Sequence, residues 1–237
     1  MVFGLGDMKL FITLILGVAL WLPIIAGTQE VVVTERDRYD VSFHRICQEA
    51  LSDPYMTIFD FTIGKNSLRD VQKKLGPAEV WRRREQAPIS ICYISVKEND
   101  GTVVVFHAWK IDSWITAMSI MSDKDHFKER NQCTKSLLVS KAISTEGGIK
   151  LGLSKLQLKT ILGDSTKEQG KNMLYLYQTK RAMTNDEIKE MERIFPSRPS
   201  EIPPRDSQPY WDVVSSIEAT FMDSELIALT ISKTETN

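Results

Sequence analysis

Cysteine is scarce in this chain of 237 residues: Cys47, Cys92 and Cys133 are the three, and no two form a CxxC pair. Without that spacing a thioredoxin-like redox motif or a zinc site has no support. Charge of one sign is also lacking. Thirty Lys and Arg face 31 Asp and Glu, a net charge of −1, with no basic run long enough to hold a polyanion and no acidic tail. Nucleic-acid binding driven by electrostatics is therefore not expected. No nucleophile, base and oxyanion site can be assembled from motifs. His44 and Cys47 stand three apart on a stretch that reads as helix, but a nucleophile and its base normally come from separate elements. Asp123, Asp125 and His126 supply too few oxygen ligands, and no glycine turn, for a calcium loop. No metal, no cofactor and no catalytic residue is expected.

Hydrophobic residues make up 42% and charged residues 26%, an ordinary globular balance. The N-terminus departs from it. Leu10 to Thr28 carries no charge; Lys9 precedes this run, and Ala26 and Gly27 close it ahead of polar Thr28, Gln29 and Glu30. Charged, apolar and small residues in that order describe a secretory signal over residues 1–27. The alternative is an uncleaved anchor over residues 10–26, at the lower edge of bilayer-spanning length. An export signal places the mature chain outside the cytoplasm, periplasmic or secreted. In that compartment an odd cysteine count suggests one disulfide and one free thiol. Cys92 lies on an expected strand and Cys133 on the segment leaving the same sheet, which favours a Cys92–Cys133 bridge; Cys47–Cys133 is the second choice.

Two stretches match each other. Gly64 to Gly76 and Gly152 to Gly163 align with one residue lost, Ser67 to Ser154, Val71 to Leu158, Leu75 to Leu162 and Gly76 to Gly163. Ser67 with Asp70, and Ser154 with Gln157, are spaced as capping boxes, and each glycine suits a helix end. Downstream, Ile111 to Ile120 aligns without gaps to Met222 to Ile231, an Asp-Ser turn entering a strand. Between the anchors, Glu79–Arg84, Ile89–Val96 and Thr102–Lys110 read as strands, with Asn99-Asp100-Gly101 as a tight turn. The second copy keeps strands near Asn172–Thr179, Val213–Phe221 and Leu226–Ser232. It adds an insertion from Arg181 to Tyr210, where Thr184 and Glu187 cap a helix carrying Ile188, Met191 and Phe195, before a stretch with five prolines.

The fold class expected is α+β: two tandem units, each a short helix (or helix pair) packed on a roughly four-stranded antiparallel meander. Residues 28–60 form a lead-in with a helix over 42–51. Residues 61–122 form the first unit, 123–148 a linker, and 149–237 the second unit with its insertion at 181–210. An apolar-x-Gly entry, a Ser-capped helix ending in Leu-Gly and a strand meander, at Thr62–Pro77 and Lys150–Gly163, resemble the repeat of the beta-lactamase inhibitory protein and the outer-membrane assembly lipoprotein BamE. The likeness covers roughly 61–122 and 149–233. Its tandem form resembles the inhibitor, and no cysteine follows the apolar run as a lipoprotein would need. The resemblance implies an exported, non-catalytic module that binds a protein partner and inhibits or modulates it. The alternative is an envelope assembly factor; a hydrolase with an unrecognised site is the third reading. No inhibitory loop has a counterpart here, so contact residues are chosen on chemistry alone.

Alternating aromatics on strands, Tyr175 with Tyr177 and His107 with Trp109, suit either a binding face or the core. Trp114 is more informative. Its counterpart is Glu225, so the repeat does not require an apolar side chain there. Arg82 and Arg84 belong to the densest basic patch, with a solvated face as the bland alternative and an acidic partner or anionic lipid as the other. Ile188, Pro203 and Pro204 in the insertion complete the candidate partner-binding residues. The membrane is expected to be met only through the N-terminal segment.

Overall fold

Two capped helices and a run of β-branched strands organise the chain. In the computed structural model residues 47, 49–123, 125, 127–194 and 209–236 are described, all within one compact unit spanning 42–237. Helix α1 (Leu68–Leu75) starts at Ser67, whose Oγ accepts from the Asp70 N–H while the Asp70 carboxylate accepts from the Ser67 N–H. The Ser67 N–H, the Lys73 ammonium and the Ser67 hydroxyl all donate to that carboxylate and hold the Asp70 carboxyl down at about 2. Leu68, Val71 and Leu75 are buried on one face, each worth roughly 1.5–3 kcal/mol. Helix α2 (Lys155–Leu162) repeats the box with Ser154 and Gln157. Gly76 and Gly163 end the two helices at φ 96° and 80°, a conformation only glycine adopts freely.

A short ribbon, β1 (Thr57–Ile58) with β2 (Phe61–Thr62), precedes α1. Four strands follow it: β3 (Trp81–Arg82), β4 (Ile89–Ser95), β5 (Val103–Ala108) and β6 (Ile115–Met121). After α2 come β8 (Lys167–Gln169), β9 (Asn172–Ala182), β10 (Tyr210–Met222) and β11 (Glu225–Thr236). The strand β7 (Thr134–Ser136) lies between the two sets and pairs parallel with β4.

Their pairing corrects the expected two units. The order β3-β4-β5-β6-β11-β10-β9-β8, with β7 beside β4, makes one nine-stranded, almost wholly antiparallel sheet, accompanied among the described residues by the β1–β2 ribbon, three short α-helices and two 3-10 turns. The joint is β6 against β11, Ser119 opposite Thr230 with their hydroxyls 2.9 Å apart. The reason is physical. Each matched Asp-Ser strand would otherwise leave a row of backbone N–H and C=O groups unpaired, and pairing the two edges satisfies both rows. A single core runs across the joint, with Val71, Tyr93, Phe106 and Met118 in the same cluster as Leu158, Tyr175, Ile217 and Ile231.

A second, smaller cluster lies on the other side of the sheet. Cys92, Val103, Val105 and Met121 are covered by Trp81, Phe127 and Cys133. Cys92 and Cys133 are disulfide-bonded, their Cα atoms 4.8 Å apart, and Cys47 is free and exposed. Residues expected to be a linker thus contribute a strand and half of a disulfide. The helix expected over 42–51 is not found at its described residues: Cys47 instead bridges Tyr177 in parallel, donating its N–H to the Leu176 carbonyl while its own carbonyl accepts from the Gln178 N–H. Among the described residues of the insertion, Arg181 and Ala182 extend the pairing of β9 with β10, and helix α3 (Asn185–Ile194) is capped by Thr184 and Glu187 as expected.

Candidate interaction surface

The β5–β6 turn carries the two most exposed tryptophans among the described residues. Trp109 is 57% and Trp114 62% exposed. They flank Ala108 and Ile115, which pair across the hairpin and are buried in the main core. A strand sends successive side chains to opposite faces, so a residue on either side of that pair is directed away from the core. The indoles stand out because the fold has spent its inward positions on Ala108 and Ile115.

The turn itself is tied down. Ser113 Oγ accepts from the Lys110 N–H at 2.8 Å and donates to the Lys110 carbonyl at 2.9 Å. Ile115 N–H donates to the Asn66 carbonyl at 2.8 Å, and the Arg69 N–H to the Ile111 carbonyl at 3.2 Å, binding the turn to the start of α1. Arg69 grips the Asp112 carboxylate with both Nε and Nη2, and this pairing holds the Asp112 carboxyl below its ordinary range. Ser67 and Trp114 form an isolated antiparallel bridge at the same place.

Register extends the surface sideways. Arg82, Ile89, Ala108 and Ile115 lie in one row across β3, β4, β5 and β6. One step further out are Arg83, Trp109 and Trp114. Arg83 lies 5.7 Å from the Trp81 ring and makes a two-pronged ion pair with Glu129 at 3.0 and 3.1 Å. Behind it His107 Nδ1 is 2.7 Å from Ser90 Oγ, and burial of the ring, helped by Arg83, lowers its pKa to about 4. Arg82 donates to the Glu85 carbonyl at 2.5 Å, and Arg84 is exposed.

The remaining candidates fall elsewhere. Tyr175 is 2% exposed and belongs to the core, so its selection as a contact is corrected: alternation puts it on the covered face. Tyr177 is half-buried beside the same core. Ile188 is half-buried on α3, which has no buried residue. Pro203, Pro204, His44, His126 and the apolar run Leu10–Ala26 lie outside the described residues. The Arg69–Asp112 clamp was not foreseen, because its partners are 43 residues apart; the shared place of Asp112 in the repeated Asp-Ser turn was the available signal. A hollow of about 290 Å³ at the other end of the sheet is lined by Asp100, Asp123, Lys141 and Glu225. The Asp100 carboxylate there serves the fold, accepting from the Thr102 and Lys141 N–H groups. Among the described residues no three His, Cys, Asp or Glu gather as a metal would need, and no helix is long and apolar enough to cross a membrane. No family model, no curated protein and no solved structure matches the chain.

Proposed function

We propose that this chain is an exported, non-catalytic interaction module that docks a protein partner on the β5–β6 turn. The observation that carries the reading is the exposure of Trp109 and Trp114 on a turn held by Ser113, Asn66 and the Arg69–Asp112 pair. Two large indoles left in water contribute nothing to the core, whereas tryptophan and arginine dominate the energy of protein interfaces. A turn already fixed in shape loses little further entropy on binding. The Cys92–Cys133 disulfide fits an oxidising compartment, and the signal-like order of residues 1–27 fits export to it.

The test is affinity capture from an envelope extract, repeated with Trp109→Ala/Trp114→Ala. Each truncation of a central tryptophan costs about 2 kcal/mol or more of binding, roughly thirtyfold in Kd. The wild type is expected to retain a specific protein that the double variant loses, with the urea midpoint unchanged. Equal retention by both proteins overturns the reading.

A further inference from the structure

We propose that the partner docked on the tryptophan turn continues down the open face of β5, β6 and β11 and meets that face with an uncharged surface; this rests on the interaction reading above. Register fixes which face it is. Phe106, Ala108, Met118 and Ile231 belong to the main core, so alternation sends their neighbours His107, Trp109, Ala117 and Ser232 to the opposite side. Trp114, next to core Ile115, is sent the same way. Cross-strand pairing sets Ser90, His107, Ala117, Ser232 and Ser216 in one row below the two indoles. His107, Ala117 and Ser232 are half-buried, and Thr234, two residues nearer the turn end along β11, is exposed. With strands about 4.8 Å apart, the row spans roughly 10 Å from β5 to β11. Glu218, exposed on β10 beside Thr230, lies in the next row away from the turn and outside this footprint.

Charge is what this face lacks. In a chain that is 26% charged, β5 and β6 contain no Asp, Glu, Lys or Arg. On β11, alternation turns Lys233 and Glu235 to the other side, where they pair at 3.1 Å. His107 is neutral near pH 7, because burial of its ring lowers the pKa to about 4. The helix side of the same turn is the reverse, with Arg69 on Asp112 and Lys73 on Asp70 as solvent-exposed ion pairs. The centre of a protein interface is depleted of charge and enriched in aromatics, and its rim is polar. Two indoles continuing into an uncharged sheet face have the composition of such a centre, and the ion pairs beside α1 that of its rim. The row is also ready to lose water. Ser90 Oγ lies 2.7 Å from His107 Nδ1, and Ser232 Oγ lies 2.7 Å from Ser216 Oγ, so both ends of the row already hold hydrogen-bond partners. A charged group on the partner would be buried here without a counter-charge, a cost that selects neutral surfaces.

Random linear peptides displayed on phage provide the probe, panned on the full chain and counter-selected on Trp109→Ala/Trp114→Ala. Peptides that need the indoles are expected to carry fewer Asp, Glu, Lys and Arg than the starting library. As free fluorescein-labelled peptides read by anisotropy, they are expected to change less than about twofold in affinity between about 50 and about 300 mM sodium chloride. Ser232→Lys is expected to weaken them roughly tenfold or more, and so is Thr234→Lys, where the native side chain is exposed and the fold has room for the lysine. Glu218→Lys places a lysine on the same face outside the footprint and is expected to change affinity less than about twofold. Enrichment of charged residues among the indole-dependent peptides, a steep fall of affinity with salt, or binding unchanged by Thr234→Lys overturns the proposal and leaves the interaction reading standing. A loss on Glu218→Lys as large as on Thr234→Lys overturns it too, because net charge rather than the footprint would then govern binding. The absence of any indole-dependent peptide overturns both readings.

Discussion

Two buried tyrosines offer a matched pair of substitutions with opposite expected outcomes. Tyr93 on β4 pairs with Val104, and Tyr175 on β9 pairs with Ile217; both rings lie in the main core at 0% and 2% exposure. Tyr93 Oη donates to the Gly76 carbonyl at the end of α1, at 2.6 Å. The Tyr175 hydroxyl is buried with no hydrogen-bond partner among the described residues. Burial raises both pKa values, Tyr93 to about 12, so both hydroxyls stay neutral near pH 7 and charge does not enter. Tyr93→Phe removes a bond worth about 0.5–1.5 kcal/mol net. Tyr175→Phe removes a hydroxyl whose unpaired burial itself costs on the order of 1–3 kcal/mol, so the change is neutral or stabilising. Urea unfolding at constant m-value reads the difference as a shift of midpoint. A lower midpoint for Tyr93→Phe and an equal or higher one for Tyr175→Phe is expected. Equal losses in both variants would refute the reasoning, because the Tyr175 hydroxyl would then have to be bonded in solution.

Replacing Cys92 and Cys133 by Ala opens a loop closed across 41 residues; chain entropy puts the loss at about 4 kcal/mol, read as a fall in the urea midpoint, and a change under about 1 kcal/mol would contradict it. His107 has a folded pKa of about 4, below the usual value of about 6.5, so its neutral form is favoured by folding. That contribution is fully present above about pH 6.5 and is lost as pH falls towards 4. An NMR titration midpoint near 4 is expected for its ring, and a midpoint near 6.5 would contradict the burial.

Local chemistry was legible in the sequence, and long-range choices were not. Ser67 with Asp70 and Ser154 with Gln157 announced both helices because a cap is complete within four residues. The hairpin strands followed from β-branched runs and the Asn99-Asp100-Gly101 turn. Which edge the Asp-Ser strands would join is written in no local pattern, so β6 pairing with β11 was missed and two units were expected where one sheet exists. Tyr175 and Tyr177 share a face by alternation, yet one is core and the other half-buried, since coverage depends on what packs above them. Trp114 was separable from the core because its counterpart is Glu225, which is exposed at the start of β11. Cys47 was read into a helix; its parallel bridge to Tyr177 depends on a strand 130 residues away.

The interaction surface is tested most directly by placing a photo-crosslinking phenylalanine analogue at position 114, and separately at exposed Glu218 on β10 as a control, in the otherwise native chain. Irradiation in the native envelope is expected to join position 114 to one protein of defined mass and position 218 to none. Adducts absent from position 114, or the same adducts from both positions, would contradict a partner docked on the β5–β6 turn.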